Sequence, residues 1–404
     1  MLLLGLSLTM ELLVNYNMKV LFCQISTKLL NTKKRNYSSI YYNTWYEQHK
    51  EDGYVKPEHF WEIPLWIAEV SYCVESKELH IIEDIQQSAE YINNSDADIV
   101  LFSVLDVNKP IIEKLCYEIN KPICLGGYSK LENEKVKWFN SVPELCQHFN
   151  IPYRKGTDYS LFKNIECIPR LQLSRGCLHK CKFCTIPKGI EENNFLEIKQ
   201  QVYSIRNMLK FKLVYIDDKT FGQASNYPIL KWVYRKIKQV NPEFKGFIVQ
   251  TTASKLLDIC LEEHFTKLHL FAVELGVESY NNSILKDMKK PATENSIQRA
   301  VDVLRLYNIN VILNLIVGLP NETRETYLHT LEFINGVKPY GMNIYNLALY
   351  KDSELSKELN IEDADENKVI KSYHTLSQNR LNKWFNDTLF LIGLDNIFYN
   401  NDTV

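Results

Sequence analysis

From Ile168 onward, short apolar runs alternate with amphipathic stretches at even spacing, and no other feature narrows the possible folds as far. The runs are Arg170-Leu-Gln-Leu173, Leu213-Val-Tyr-Ile216, Gly246-Phe-Ile-Val249, Leu270-Phe-Ala-Val-Glu274, Val311-Ile-Leu-Asn-Leu-Ile-Val317 and Asn343-Ile-Tyr-Asn-Leu347. Each has the length of a buried strand rather than a helix. Between them, Ile198, Val202, Ile205 and Leu209 recur at helical spacing, as do Ile229, Val233, Ile237 and Val240, then Ile297, Val301 and Leu304. Strands joined by crossover helices make parallel sheets, with each crossover right-handed. Six such units predict a curved sheet or partial barrel, and they direct attention to the loops after the strands, where parallel sheets bind ligands.

The first 160 residues follow the same grammar less regularly. Lys19-Val-Leu-Phe-Cys23 predicts a buried strand, Leu79-His-Ile-Ile82 a second, and Asp98-Ile-Val-Leu-Phe-Ser-Val-Leu105 a third. A helix opens near Pro110, and Pro122-Ile-Cys-Leu-Gly-Gly127 is a short strand ending in a glycine turn. Residues Thr27 to Glu69 are poorly patterned and read as a long connection or as an insertion covering a site. Met1 to Val14 is apolar but carries Glu11, lacks a basic leader and is too short to span a bilayer. The true start is left open among Met1, Met10 and Met18. The expectation is a cytoplasmic protein with no membrane partner. Hydrophobic residues make up 45% and charged residues 24%, as in globular proteins. A net charge of −2 gives no global case for nucleic acid, although a locally basic groove is compatible with it.

Seven of the ten cysteines, at positions 23, 73, 116, 124, 146, 167 and 260, stand singly and read as small buried hydrophobes. The other three are bunched in Leu171-Gln-Leu-Ser-Arg-Gly-Cys177-Leu-His-Lys-Cys181-Lys-Phe-Cys184. Thiolates suit iron–sulfur clusters or zinc. A structural zinc site wants four closed ligands, and no fourth Cys or His has finger-like spacing, though Cys167 and His179 are near. Three ligands on a four-iron cube leave one iron open.

The C-x3-C-x2-C spacing, with Phe183 before the last cysteine, resembles the signature of the radical S-adenosylmethionine (radical SAM) superfamily. Later stretches are similar to that family in the same order. Val214-Tyr-Ile-Asp217-Asp218-Lys-Thr-Phe221 resembles its acidic pair, with loop capping as the other reading. Val273-Glu274-Leu-Gly276-Val-Glu278-Ser279, with Met288-Lys-Lys290 beyond it, resembles the stretch whose acidic residue lies close to the cofactor. Asn314-Leu-Ile-Val-Gly318-Leu-Pro320-Asn-Glu322-Thr323 resembles its glycine–proline turn, where Glu322 also reads as a helix-dipole partner. The resemblance covers about residues 168 to 350. It implies a [4Fe–4S] cluster on Cys177, Cys181 and Cys184, and S-adenosylmethionine bound near Phe183, Asp217, Glu278, Ser279 and Gly318. It further implies reductive cleavage of that cofactor to methionine and a 5′-deoxyadenosyl radical, which abstracts hydrogen from an unidentified substrate. A one-electron donor, flavodoxin- or ferredoxin-like, is the implied partner, with Arg175 and Lys180 as donor contacts or solvated charges. Nucleic acid is not indicated. No other catalytic residue is assigned.

The order of domains resembles the superfamily branch with an amino-terminal cobalamin-binding domain. The expected class is therefore α/β. A Rossmann-like, cobalamin-binding-like domain spans 1–160, a partial (βα)6 radical SAM barrel 161–350, and a mostly helical extension, including Leu381 to Leu391, spans 351–404. Cobalamin is allowed by the resemblance, but Gln24-Ile-Ser-Thr27 stands where a D-x-H-x-x-G sequence would supply the cobalt-binding histidine, and His59 and His80 read as ordinary histidines. A second enzyme reading follows from Cys184-Thr-Ile-Pro187, which resembles the methylthiotransferases that act on transfer RNA or a ribosomal protein. Those have three further cluster cysteines, and Cys23, Cys73, Cys116, Cys124 and Cys146 do not complete that pattern. A non-catalytic iron–sulfur or zinc scaffold is the remaining alternative.

Overall fold

The computed structural model describes residues 18–30, 44–55 and 63–359, apart from positions 106, 128, 207, 209, 210 and 351. The amino-terminal apolar run, His59, Leu209 and the segment Leu381 to Leu391 lie outside the described residues. Contacts divide the chain into two compact units, residues 1–30 with 64–161, and residues 31–63 with 162–404.

The first unit is built on a wholly parallel sheet of β1 (Val20–Ile25), β2 (Lys77–Ile82), β3 (Ile99–Val104), β4 (Ile123–Gly127) and β5 (Val136–Trp138). Its strand order is β2-β1-β3-β4-β5, the doubly wound order in which ligands bind where the winding reverses, between β1 and β3. Helices α1 (Leu65–Cys73), α2 (Ile85–Asn94) and α3 (Lys109–Glu118) connect the strands, and α4 (Val142–His148) follows β5. β1 and β3 are buried almost throughout, with Leu21, Val100 and Phe102 in one cluster with α2 and α3 residues Ile92, Ile112 and Leu115. On the other face, Phe22 meets the Trp66 ring of α1. Beyond β1 comes a single helical turn, Thr27–Leu30, in which Ser26 Oγ accepts the Lys28 N–H. His80 is half-buried, hydrogen-bonded to Ser88 and stacked on Tyr91, and burial pushes its pKa down.

The second unit supplies the expected half-barrel. Its sheet joins β6 (Arg170–Leu171), β9 (Leu213–Ile216), β10 (Gly246–Thr251), β11 (Leu270–Glu278), β12 (Asn310–Val317) and β13 (Gly341–Asn346), in that spatial order and all parallel. A short antiparallel hairpin, β7 (Ser174–Cys177) with β8 (Gly189–Glu192), follows β6. The crossovers include α5 (Phe195–Ile205), α6 (Leu230–Lys238), α7 (Ala253–Ile259), α8 (Asn282–Asp287), α9 (Glu294–Leu306) and α10 (Arg324–Val337). The helix starts were written locally: Asn194 with Glu197 forms a capping box on α5, and Thr323 with Thr326 another on α10. Ile198, Val202 and Ile205 of α5 and Ile297, Val301 and Leu304 of α9 are buried as their spacing predicts.

Alternate residues of these strands face two different surroundings. Leu171, Val214, Ile216, Val249, Val273, Leu275 and Leu313 are buried on the helix side. On the concave side, Tyr215, Ile248, Ala272 and Ile312 form one cluster with Trp45, Tyr54 and Val55. Residues 44–55 therefore close the sheet at the amino ends of its strands, away from the loops that follow them. Trp45 Nε1 donates to Tyr340 O at 3.0 Å, and Tyr340 Oη to Asp52 Oδ2 at 2.6 Å. This part of the unpatterned Thr27–Glu69 stretch is thus a floor, while another part of it is α1. Among the described residues, no helix is long and apolar enough to cross a membrane.

Candidate active site

The three clustered cysteines lie on the loop that leaves β7, at the carboxyl end of the sheet. Cys177 ends β7, and its N–H donates to Pro187 O at 3.1 Å, so the loop is pinned across its base. All three thiols are free; Cys177 is buried, while Cys181 and Cys184 are half-buried. Backbone N–H groups point at two sulfurs, from His179 to Cys177 at 3.4 Å and from Ile186 to Cys184 at 3.5 Å. Thr220 Oγ1 lies 3.4 Å from the Cys177 sulfur. Burial pushes the Cys181 thiol up, and the charge of Lys290 pulls it back.

Asp218 fixes where this loop starts. Its carboxylate is buried and accepts the Leu173 N–H at 2.8 Å, the Ser174 N–H at 2.9 Å and the Ser174 hydroxyl at 2.8 Å. Burial nevertheless raises its pKa to about 6. Asp217 points instead into the concave face, where it pairs with Arg170, with Lys219 at 3.4 Å. Of the acidic pair, one member thus tethers the cysteine strand and the other belongs to the interior.

Phe183 leaves the loop to pack against Ile284, Met288, Leu319 and Leu347. The Lys182 N–H donates to Met288 O at 3.0 Å, tying the loop to the end of α8. Beyond Met288, Lys290 is buried and pairs with Glu278 at 2.6 Å. Burial alone would lower the Lys290 pKa, but the Glu278 carboxylate beside it outweighs that and holds it up. A Cβ at Gly276 would lie 2.7 Å from Lys290 Nζ and 3.0 Å from Glu278 Oε1, so glycine is what lets the ion pair cross the strand. Glu278 has φ +62°, in the left-handed region, a strained setting for a non-glycine residue and one concentrated at functional sites.

Ser279 follows, 1% exposed, with a hydroxyl that has no hydrogen-bond partner among the described residues. A buried, unmatched hydroxyl costs about 1–3 kcal/mol, which a ligand would offset. Gly318, φ +93°, turns the chain after β12, and its N–H donates to Glu322 at 2.7 Å. Burial raises the Glu322 pKa to about 7. Glu278, Ile316, Glu322 and Tyr327 line a gap of only about 10 Å³ between the sheet and α10, room for about one water. Arg175 and Lys180 are exposed, and Arg175 Nε donates to Gln172 at 2.6 Å. Cys167 is apart from this group, its thiol pushed to about 12 by burial. Among the described residues, no three His, Cys, Asp or Glu side chains converge to hold a single metal ion.

Sequence reading missed the wall of the interior. Alternate positions present Tyr215 on β9 and Asp217 just beyond it, Gln250 on β10, Glu274 on β11, Asn314 on β12 and Asn343 on β13. Tyr215 Oη donates to Glu274 Oε2 at 3.1 Å, and Asn343 Nδ2 to Asn314 Oδ1 at 2.9 Å. The signal was present as single polar residues inside apolar runs.

A six-stranded parallel half-barrel with three free thiols on one pinned loop at its ligand-binding end defines the class of protein. Residues 171–334 match the family model described as the radical SAM superfamily. It is 24% identical over 220 residues to a probable threonylcarbamoyladenosine tRNA methylthiotransferase of Archaeoglobus fulgidus, covering 50% of this chain and 52% of that one. It is 25% identical over 297 residues to the ribosomal protein uS12 methylthiotransferase RimO of Thermosipho melanesiensis, covering 65% and 69%. The chain thus spans between half and about seven-tenths of the length of these relatives. Its fold is similar to the radical S-adenosylmethionine methyltransferase TsrM of Kitasatospora setae, at a TM-score of 0.55 and 13% identity, covering 84% of this chain and 77% of that one. It is also similar to the cobalamin-dependent radical enzyme OxsB, at 0.52 and 12%, covering 93% and 56%.

Proposed function

We propose that this chain is a radical SAM enzyme in which Cys177, Cys181 and Cys184 hold a [4Fe–4S] cluster and S-adenosylmethionine binds at the carboxyl end of the sheet, beside Glu278 and Ser279. The observation that carries this reading is the pinned loop of three free thiols facing the buried Lys290–Glu278 pair. The donor set fits the group. Sulfur ligands suit iron–sulfur clusters, two of the sulfurs already receive N–H donors, and the orphaned Ser279 hydroxyl lies within the motif expected to touch the cofactor. The cluster, when reduced, supplies the electron that splits the sulfonium C–S bond into methionine and a 5′-deoxyadenosyl radical.

The chain's own residues position and shield that chemistry. Asp218 holds the cysteine strand in register. Lys290 places one buried positive charge beside the thiolates, and Phe183 seals the loop against α8. Gly318 and Glu322 hold the turn after β12 in place. The substrate enters the concave interior, between the polar wall and the floor of residues 44–55. A one-electron donor, flavodoxin- or ferredoxin-like, serves the cluster, and the enzyme is cytoplasmic.

A second reading, methylthiotransfer to RNA or protein, draws support from the names of the relatives above. Cobalamin draws support from the strand order of the first unit and from the fold of TsrM and OxsB. Beyond β1, however, Ser26 and Thr27 stand where a cobalt-binding histidine would follow. Anaerobic reconstitution, reduction and addition of S-adenosylmethionine test the main reading. Four irons per chain, with release of 5′-deoxyadenosine and methionine, are expected. Fully loaded, reduced protein that yields neither product with candidate substrates contradicts it. Eight irons favour methylthiotransfer, and corrinoid absorbance after growth with cobalamin decides the remaining question.

A further inference from the structure

A second surface of the half-barrel has a chemistry that the cluster site does not use. Helices α5 and α6 pack side by side, with the Phe195 ring edge-on to Trp232 at 5.1 Å between centroids. Residues 195–206 and 230–238 carry six basic side chains, Lys199, Arg206, Lys231, Arg235, Lys236 and Lys238, against the single acid Glu197. That is a local charge of +5 on a chain whose total is −2. Glu197 is already engaged, accepting the Asn194 N–H in the capping box. Among the described residues, no carboxylate pairs with Lys199, Arg206, Lys231, Arg235 or Lys236. Helical spacing sets these cations along the outer face, because Leu230, Val233 and Ile237 of α6 and Ile198, Val202 and Ile205 of α5 are buried.

Aromatic rings are interleaved with the charges. Tyr203 is 46% exposed and Phe195 50%. Lys199 and Arg206 flank the Tyr203 ring at 5.8 and 5.3 Å. A cationic strip with exposed rings between its charges is the footprint of single-stranded nucleic acid, whose phosphates meet the cations while bases stack on the rings. A solvated salt-bridge face would instead interleave both signs, and this one does not. Both helices start at the carboxyl end of the sheet, so the strip begins at the rim that carries the cysteine loop.

We infer that the α5–α6 face binds the sugar–phosphate backbone of single-stranded RNA, with Tyr203 and the Phe195–Trp232 pair as stacking platforms. The inference goes beyond the radical chemistry and is testable without cofactor or reductant, so either can fail while the other stands. Fluorescence anisotropy of the full chain with a labelled 20-nucleotide single-stranded RNA reads it directly. Four phosphate contacts predict that log affinity falls with log salt at a slope of about −3. The variant K199E/R206E/R235E/K236E should lose at least about tenfold in affinity and flatten the slope, and Tyr203→Ala about fivefold. Lys109→Glu with Lys114→Glu, on the first unit, should change neither. Ultraviolet crosslinking of the unaltered chain should recover RNA on peptides covering 195–206 and 231–238, a readout that does not depend on the variants folding. RNA binding unchanged by the charge reversal overturns the inference. So does crosslinking elsewhere, or retention on phosphatidylserine vesicles without RNA binding.

Discussion

The two units use the same grammar of parallel strands and crossover helices, yet they write their strands differently. β3 of the first unit, Ile-Val-Leu-Phe-Ser-Val, is buried on both faces because helices cover both. β11 and β12 of the second interrupt their apolar runs with Glu274 and Asn314, because only one face meets helices and the other lines an interior. A doubly covered sheet spends its side chains on packing and leaves chemistry to its loops. A curved sheet can place polar groups along the strands as well. That difference matches the placing of three cysteines on a strand end and the loop beyond it in one unit, while Cys23 and Cys124, within strands of the other, are buried thiols that burial pushes up, Cys124 to about 11.

The contrast can be broken most severely at the cysteine loop. Cys177→Ala should reduce iron content and 5′-deoxyadenosine release to background, whereas Cys124→Ala should leave both intact; iron analysis and product chromatography decide. Next in size, Phe102→Asn puts a polar group into the doubly covered sheet and should cost about 3–5 kcal/mol in denaturant unfolding. Asn314→Leu, on the concave face, removes the acceptor of the Asn343 amide and should cost less, about 1–2 kcal/mol. Equal losses at the two positions would abolish the distinction between the sheets. Asp218→Ala strands three buried donors and should cost about 3 kcal/mol or more, with iron retention falling as well. Asp84→Ala, at the exposed cap of α2, should cost about 1 kcal/mol.

The smallest effect is a pH dependence. Burial raises the Glu322 pKa to about 7 in the folded chain, above the unfolded glutamate value. The native state then holds its proton longer, so this group's contribution to stability is full below about pH 4.5 and is lost as pH rises toward 7. Glu322→Gln keeps an acceptor for the Gly318 N–H and removes the titration. It should therefore be the more stable form at pH 8, by on the order of 2 kcal/mol, and the advantage should vanish at pH 4. A variant less stable at pH 8 reverses that sign.

The strands were legible because periodicity is local: all six of the half-barrel appear where the apolar runs stand, and β1 to β4 of the first unit do likewise. β5 was missed because three residues, Val136–Trp138, leave no period to read. Residues 44–55 were illegible for another reason. Trp45 and Tyr54 find their partners on strands far along the chain, and no local pattern encodes that. The cysteine loop announced itself by spacing. Lys290 stands in the Met288-Lys-Lys290 stretch, but its pairing with Glu278 was not legible, because it depends on a left-handed turn and on the space left at Gly276. Asp217 and Asp218 are adjacent in sequence, and only the pleat separates a lumen residue from a tether.

The most direct test is electron paramagnetic resonance of the anaerobically reconstituted, reduced chain before and after S-adenosylmethionine. A single reduced [4Fe–4S] signal that shifts when the cofactor is added, and that is absent from Cys177→Ala, is the predicted result. A cluster signal indifferent to S-adenosylmethionine, or zinc in place of iron on the three thiols, would contradict it.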